Sequence, residues 1–104
     1  MRKILEIAPD IDGVFACSDV LAMAAIRVLK QKNKNVPEDI CVVGYDDIDM
    51  GEYFKPTLTT ISQNGYIAGQ KMVEKLLTMI EKPNEPLEHR TTIDVHLISR
   101  ESCS

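Results

Sequence analysis

Apolar positions along this chain alternate between short unbroken runs and longer stretches with helical spacing. Arg2 to Ala8 reads as the last turns of a helix whose beginning is missing, and Pro9-Asp10-Ile11-Asp12-Gly13 then marks a turn. Val14-Phe15-Ala16-Cys17 is apolar throughout, the pattern of a short buried strand. Ser18-Asp19 supplies helix N-cap chemistry, and Ala, Leu and Met dominate the next stretch, so a helix is expected from about Val20 to Gln31. It should fray into Lys32-Asn33-Lys34-Asn35, where lysines suit the negative end of a helix.

Pro37-Glu38-Asp39 breaks the chain, and Ile40-Cys41-Val42-Val43-Gly44 follows as a run without alternation, as for a parallel strand covered on both faces. A short helical turn is expected over Ile48 to Tyr53, stopped by Lys55-Pro56. Leu58 to Gln63 is rich in β-branched residues and reads as a strand. The clearest periodicity lies between about Tyr66 and Glu81. Ala68, Met72, Val73, Leu76, Leu77 and Ile80 form one stripe, and Gln70, Lys71, Glu74, Lys75 and Thr78 lie opposite. Pro83 ends this helix, and Thr91 to Ile98 forms a last extended segment. Strands exchanging with helices in this order give an α/β fold, and right-handed crossovers favour a parallel sheet.

Composition narrows the function classes. The 104 residues are 44% hydrophobic and 27% charged, an ordinary globular balance, with a net charge of -4. An acidic chain of this size is poorly suited to gripping a phosphate backbone by itself. No apolar run is long enough to span a membrane, and the first residues lack the pattern of a signal peptide. Cys17, Cys41 and Cys103 are odd in number and widely spaced, which fits reduced thiols in a cytosolic protein. Cys17 and Cys41 lie within apolar runs, where a thiol behaves as a small hydrophobe. No zinc-ligand spacing, nucleophile elbow or phosphate-cradling glycine loop occurs, so neither a metal, a cofactor nor an enzymatic activity is expected.

Candidate chemistry gathers where strands end, since open parallel sheets bind ligands outside the carboxyl ends of their strands. Ser18-Asp19 follows the first strand, Asp46-Asp47 the second and Gln63 the third. Carboxylates and amides there suit sugar hydroxyls or a ring N–H. Capping alone accounts for Asp19, and a turn or cap for Asp47, which leaves Asp46 with the best claim on a ligand. Tyr45 reads as core or lining. The segment Val20 to Ile26 is apolar all round, so that either its outer face meets another chain or small alanines simply face solvent.

Several motifs together resemble the LacI/GalR family of bacterial transcription regulators. Phe15-Ala16-Cys17-Ser18-Asp19 followed by Leu21-Ala22-Met23 is similar to that family's strand-to-helix signature. Val36 to Ile40 and Val42 to Asp47 match its "vPeDisvvGyDd" segment. Tyr53-Phe54, Pro56, Leu58 to Ile61 and Gln63 match "yxxPxLTTI.Q"; Gly69 and Arg100-Glu101-Ser102 also correspond. These motifs cover nearly the whole chain in the right order.

The resemblance implies a three-layer parallel-sheet lobe of the periplasmic-binding-protein-like type I fold, in part. It implies the last third of a cytoplasmic regulator whose DNA-binding helix-turn-helix and hinge lie outside these residues. Residues from about 64 to 95 would pack in the other lobe of the intact fold. Asp46 stands at the position of the effector-contacting carboxylate. Ser18 replaces a ligand-binding Asn of many members, and Gln63 is a weaker site. Asn64-Gly65 stands where some members place an aromatic. Met23, Ile26, Tyr53 and Phe54 map onto the subunit interface. The implied partners are a sugar or related metabolite, a second copy, and operator DNA through the absent domain. The stripe of the Tyr66 helix should be covered by another copy or by rearranged packing. A transport sugar-binding protein is the alternative of similar fold, and a phospho-receiver holding magnesium with Asp19, Asp46 and Asp47 is the alternative of another class.

Overall fold

The computed structural model describes residues 1–104. Its elements run α1 (Arg2–Ile7), β1 (Gly13–Phe15), α2 (Asp19–Gln31), β2 (Cys41–Val43), α3 (Met50–Tyr53), β3 (Thr60–Ser62), α4 (Gly65–Glu81) and β4 (His96–Ile98). The chain forms two compact units, Met1–Ser62 with Leu97–Ser104, and Gln63–His96.

In the first unit β1 and β2 pair in parallel, with Val14 opposite Val42. A parallel bridge from Val43 to Thr59 leads on towards β3, which pairs with β4. Gly44 N–H donates to Thr59 O at 2.9 Å and Asp46 N–H to Ile61 O at 3.0 Å, so β2 continues alongside β3 past its last regular residue. The core joins one face of α2 to the sheet through Ala22, Ile26, Leu29, Val36, Ile40, Val42 and Leu58. Burying side chains of this size contributes roughly 1.5–3 kcal/mol each.

Helix α2 begins at Asp19 because Ser18 caps it, its Oγ accepting from Leu21 N–H at 3.3 Å. Two departures from expectation concern this helix. Its end does not fray: Asn33 takes φ 57, Asn33 N–H donates to Lys30 O and Lys34 N–H to Leu29 O. That pair of bonds is a Schellman closure, which satisfies carbonyls left over at the helix end. Nor is the helix buried on every side. Ala22, Ala25, Ile26 and Leu29 face the core, whereas Val20 and Leu21 are exposed.

Ile26, expected at a subunit interface, is fully buried within this core and presents no surface to a partner. Cys17, expected to be sheltered in β1, lies beyond the strand's last residue, Phe15, and is exposed, as Phe15 itself is. Strands β3 and β4 are shorter than the runs Leu58–Gln63 and Thr91–Ile98 suggested.

The second unit is built on α4. Asn64 adopts φ 50 just before it, and Asn64 Nδ2 donates to Asp94 O at 2.7 Å, tying the helix start to the end of the returning loop. Lys75 Nζ reaches Thr91 Oγ1 at 3.1 Å. None of the α4 residues is buried, and Met72, Val73, Leu76, Leu77 and Ile80 are all exposed. The stripe is therefore not covered by rearranged packing within the chain.

Candidate functional site

The carboxyl ends of β1 and β2 are bound edge to edge. Ala16 N–H donates to Val43 O and Asp19 N–H to Tyr45 O, both at 2.8 Å, which lays the Ser18-Asp19 turn beside the Tyr45-Asp46-Asp47 turn. Two of the three expected ligand residues, Ser18 and Asp46, thus belong to neighbouring strand ends. Gln63, exposed, is the first residue of the other unit.

Asp46 is exposed and has φ 118; Asp47 follows at φ 56. Backbone of this kind is costly for residues with a Cβ and persists only where surrounding contacts fix it. Those contacts are present. Asp46 N–H is bonded to Ile61 O. Asp47 N–H donates to Thr60 Oγ1 at 3.3 Å, and the same hydroxyl donates to Asp19 Oδ1 at 2.5 Å. Asp19 Oδ2 accepts from Ile48 N–H at 2.8 Å. Arg100 Nη2 donates to Asp47 Oδ1 at 3.0 Å, while its Nη1 donates to Leu58 O at 2.9 Å. The turn is held from three sides, and Asp46 is its exposed residue.

Asp19 is neither the cap nor a ligand. It is fully buried, and its two oxygens bind Thr60 and Ile48, so it ties α2 and β3 to the turn that carries Asp46. Ser18 is the cap instead. With Asp19 used in this way, the acidic trio that a magnesium-holding receiver needs is not assembled. Asp47 is likewise committed, to Arg100 and Thr60, rather than acting as a helix cap. Sequence reasoning missed Thr60, whose hydroxyl looked like ordinary strand content, and Arg100, which stood out only as part of a closing motif.

A larger hollow of this unit lies elsewhere. An open cleft of about 850 Å³ runs along α2 and the end of α3, lined by Met23, Arg27, Lys30, Phe54 and Lys55 among others. Met23 and Phe54 are half-buried there against the core, Tyr53 is exposed, and Lys30 Nζ sits 6.0 Å from the Phe54 ring centroid. It is a binding-sized hollow, yet it contains neither Ser18 nor Asp46, so volume alone does not locate the polar site.

The fold is shared with known proteins. The family of periplasmic binding protein-like domains matches residues 1–103. The HTH-type transcriptional regulator CelR of Thermobifida fusca is 42% identical over 103 residues, 98% of this chain and 30% of that protein. The solved complex of transcriptional regulator CelR with cellobiose superposes with a TM-score of 0.90 at 40% identity, covering 97% of this chain and 31% of that one. A LacI family transcriptional regulator from Arthrobacter sp. FB24, in complex with lactose, gives 0.88 at 32% identity, covering 98% and 38%. The chain thus spans about a third of the length of the relatives it matches. The matched profile, the mixed α/β unit with its strand-end turn, and these relatives lead to one conclusion: the chain belongs to the periplasmic binding protein-like domain family, in the branch found in LacI-family transcriptional regulators.

Proposed function

We propose that this chain is the carboxy-terminal part of the effector domain of a LacI-type transcription regulator. It binds a sugar or related metabolite and supplies part of a homodimer interface. The observation that carries this reading is the Asp46 turn, a carboxylate raised on strained backbone and locked by Thr60, Asp19 and Arg100. Preorganised charged acceptors of this kind suit vicinal hydroxyls, because a carboxylate accepts two hydrogen bonds without rearranging. Ser18, with its hydroxyl already accepting from the helix, contributes its proton as donor, and Gln63 supplies amide contacts as the chain passes into the second unit. That relatives have been solved with cellobiose and lactose supports a sugar as the effector class.

In this reading the domain is not an enzyme. It works in the cytoplasm by binding effector with different affinity in two states of the regulator, and it meets operator DNA only through a separate amino-terminal helix-turn-helix. Residues 64–95 pack in the other lobe of the complete domain, which covers the α4 stripe. Met23, Tyr53 and Phe54 form the dimer contact, without the buried Ile26.

The test is calorimetric titration of cellobiose, lactose and ribose into the full-length protein, with and without Asp46→Asn. Saturable binding that weakens by about tenfold or more in the variant supports the proposal. Equal affinity in both proteins removes Asp46 from the site, and a failure of bound sugar to alter operator affinity removes the regulatory role.

A further inference from the structure

Cys41 opens β2 and Cys103 lies in the carboxy-terminal tail, yet the backbone brings them together. Val42 N–H donates to Ser102 O at 2.9 Å, and Ser102 Oγ donates back to Val42 O at 2.6 Å. Cys41 precedes one member of this doubly bonded pair and Cys103 follows the other. Flanking this pair on neighbouring backbone, the two cysteines are close enough for the Cys41 thiol to bear on that of Cys103. Cys41 Sγ also donates to Pro37 O at 4.0 Å, and Thr59 Oγ1 donates to Cys103 O at 3.3 Å, so both residues are held in place. Both are half-buried and within reach of small solutes, whereas Cys17 is exposed on its own at the end of β1.

We propose that Cys41 and Cys103 form a dithiol modification site that reacts with low-molecular-weight disulfides and closes to an intramolecular bridge. The Cys41 thiolate attacks one sulfur of the small disulfide, forming a mixed disulfide and releasing one small thiolate, which takes up a proton. Cys103 then loses its proton, attacks the Cys41 sulfur and expels the second small thiolate, which is protonated in turn. Two protein thiols are oxidised and one small disulfide is reduced to two thiols, so electrons and protons balance. The neighbouring Cys41 sulfur, and then burial, hold the Cys103 thiol above its ordinary value, in keeping with its part as the later, resolving group in this proposal. Closure fastens the tail that carries Arg100 and Ser102 to β2, and the cross-link restricts the unfolded chain.

The chain is incubated with oxidised glutathione, and its peptides are mapped without reduction. The expected result is a linked pair containing Cys41 and Cys103, lighter by two hydrogens, with Cys17 carrying only a glutathione adduct. The oxidised chain should melt at a higher temperature than the reduced one. C103S should stop at a glutathione adduct on Cys41, and C17S should still close the bridge. Separate adducts on Cys41 and Cys103, a bridge to Cys17, or no reaction at either residue while Cys17 reacts would overturn the assignment. Mapping of the unsubstituted chain and of C17S decides the matter even if C103S fails to fold.

Discussion

Arg100 Nη2 sits 3.0 Å from Asp47 Oδ1, and its other terminal nitrogen holds the Leu58 carbonyl, so one guanidinium from the tail clamps the turn next to Asp46. Its side chain is only 14% exposed, which lifts it out of the class of surface ion pairs that contribute little. Arg100→Ala should lower unfolding stability by about 2 kcal/mol, measured by urea denaturation, because it leaves a partly buried carboxylate and a carbonyl short of donors. Glu52, 63% exposed and 3.5 Å from the same guanidinium, is the contrast: Glu52→Gln should change stability by less than about 0.5 kcal/mol.

Asp19 should be the most sensitive polar position. Asp19→Ala strips partners from Thr60 and Ile48 at a fully buried site, with an expected loss of about 3 kcal/mol by the same measurement. Gly44→Ala tests the same spot from the opposite side. An added methyl would overlap the Asp19 carboxylate and crowd Leu58, so a loss of about 1–3 kcal/mol is expected. Stability equal to the parent in Gly44→Ala would show that Asp19 can shift without cost.

Asp46→Asn separates ligand chemistry from folding. Asn tolerates positive φ about as well as Asp, so the unfolding midpoint should stay nearly constant. Effector affinity in the full-length protein should nevertheless fall by about tenfold to a hundredfold, because a charge-assisted acceptor becomes a neutral one. Calorimetry and denaturation on the same preparation read both quantities.

Glu101 provides a pH signature. The Thr57 N–H bond holds its carboxyl below the ordinary value of 4.5, the Lys55 ammonium adds to this, and partial desolvation opposes it. A carboxyl lowered in the folded state stabilises the fold above its unfolded-state value and loses that contribution as pH falls through the folded-state value. Urea midpoints measured from pH 6 downward to about pH 3 should therefore decline less steeply in Glu101→Gln than in the parent.

The legibility of this protein was uneven for physical reasons. Helices α2 and α4 showed in the sequence because periodicity and caps are local signals, and their bounds shifted by only a residue. Strand β1 and the fate of Cys17 were misjudged because a run of four apolar residues does not say where the last of them points. Asp46 could be singled out, since polar residues at strand ends are conspicuous. The roles of Asp19, Thr60 and Arg100 could not, because each depends on a partner far along the chain, as in the 2.5 Å bond from Thr60 to Asp19. An Asp after a Ser at a helix start looks the same whether it faces solvent or a buried hydroxyl.

Ser102 is wholly buried; it accepts from Val42 N–H and Thr59 N–H and donates to Val42 O, so a residue near the tail fills the space between β2 and the start of β3. The unit it completes is split in the chain, with all of Gln63–His96 intervening. Synthesis on the ribosome must therefore run past residue 102 before β2 gains its last partner, while α4, with its apolar stripe, has already emerged. The interval between those two events is when a nascent chain of this design is most open to chaperones and to pairing with a neighbour on the same messenger.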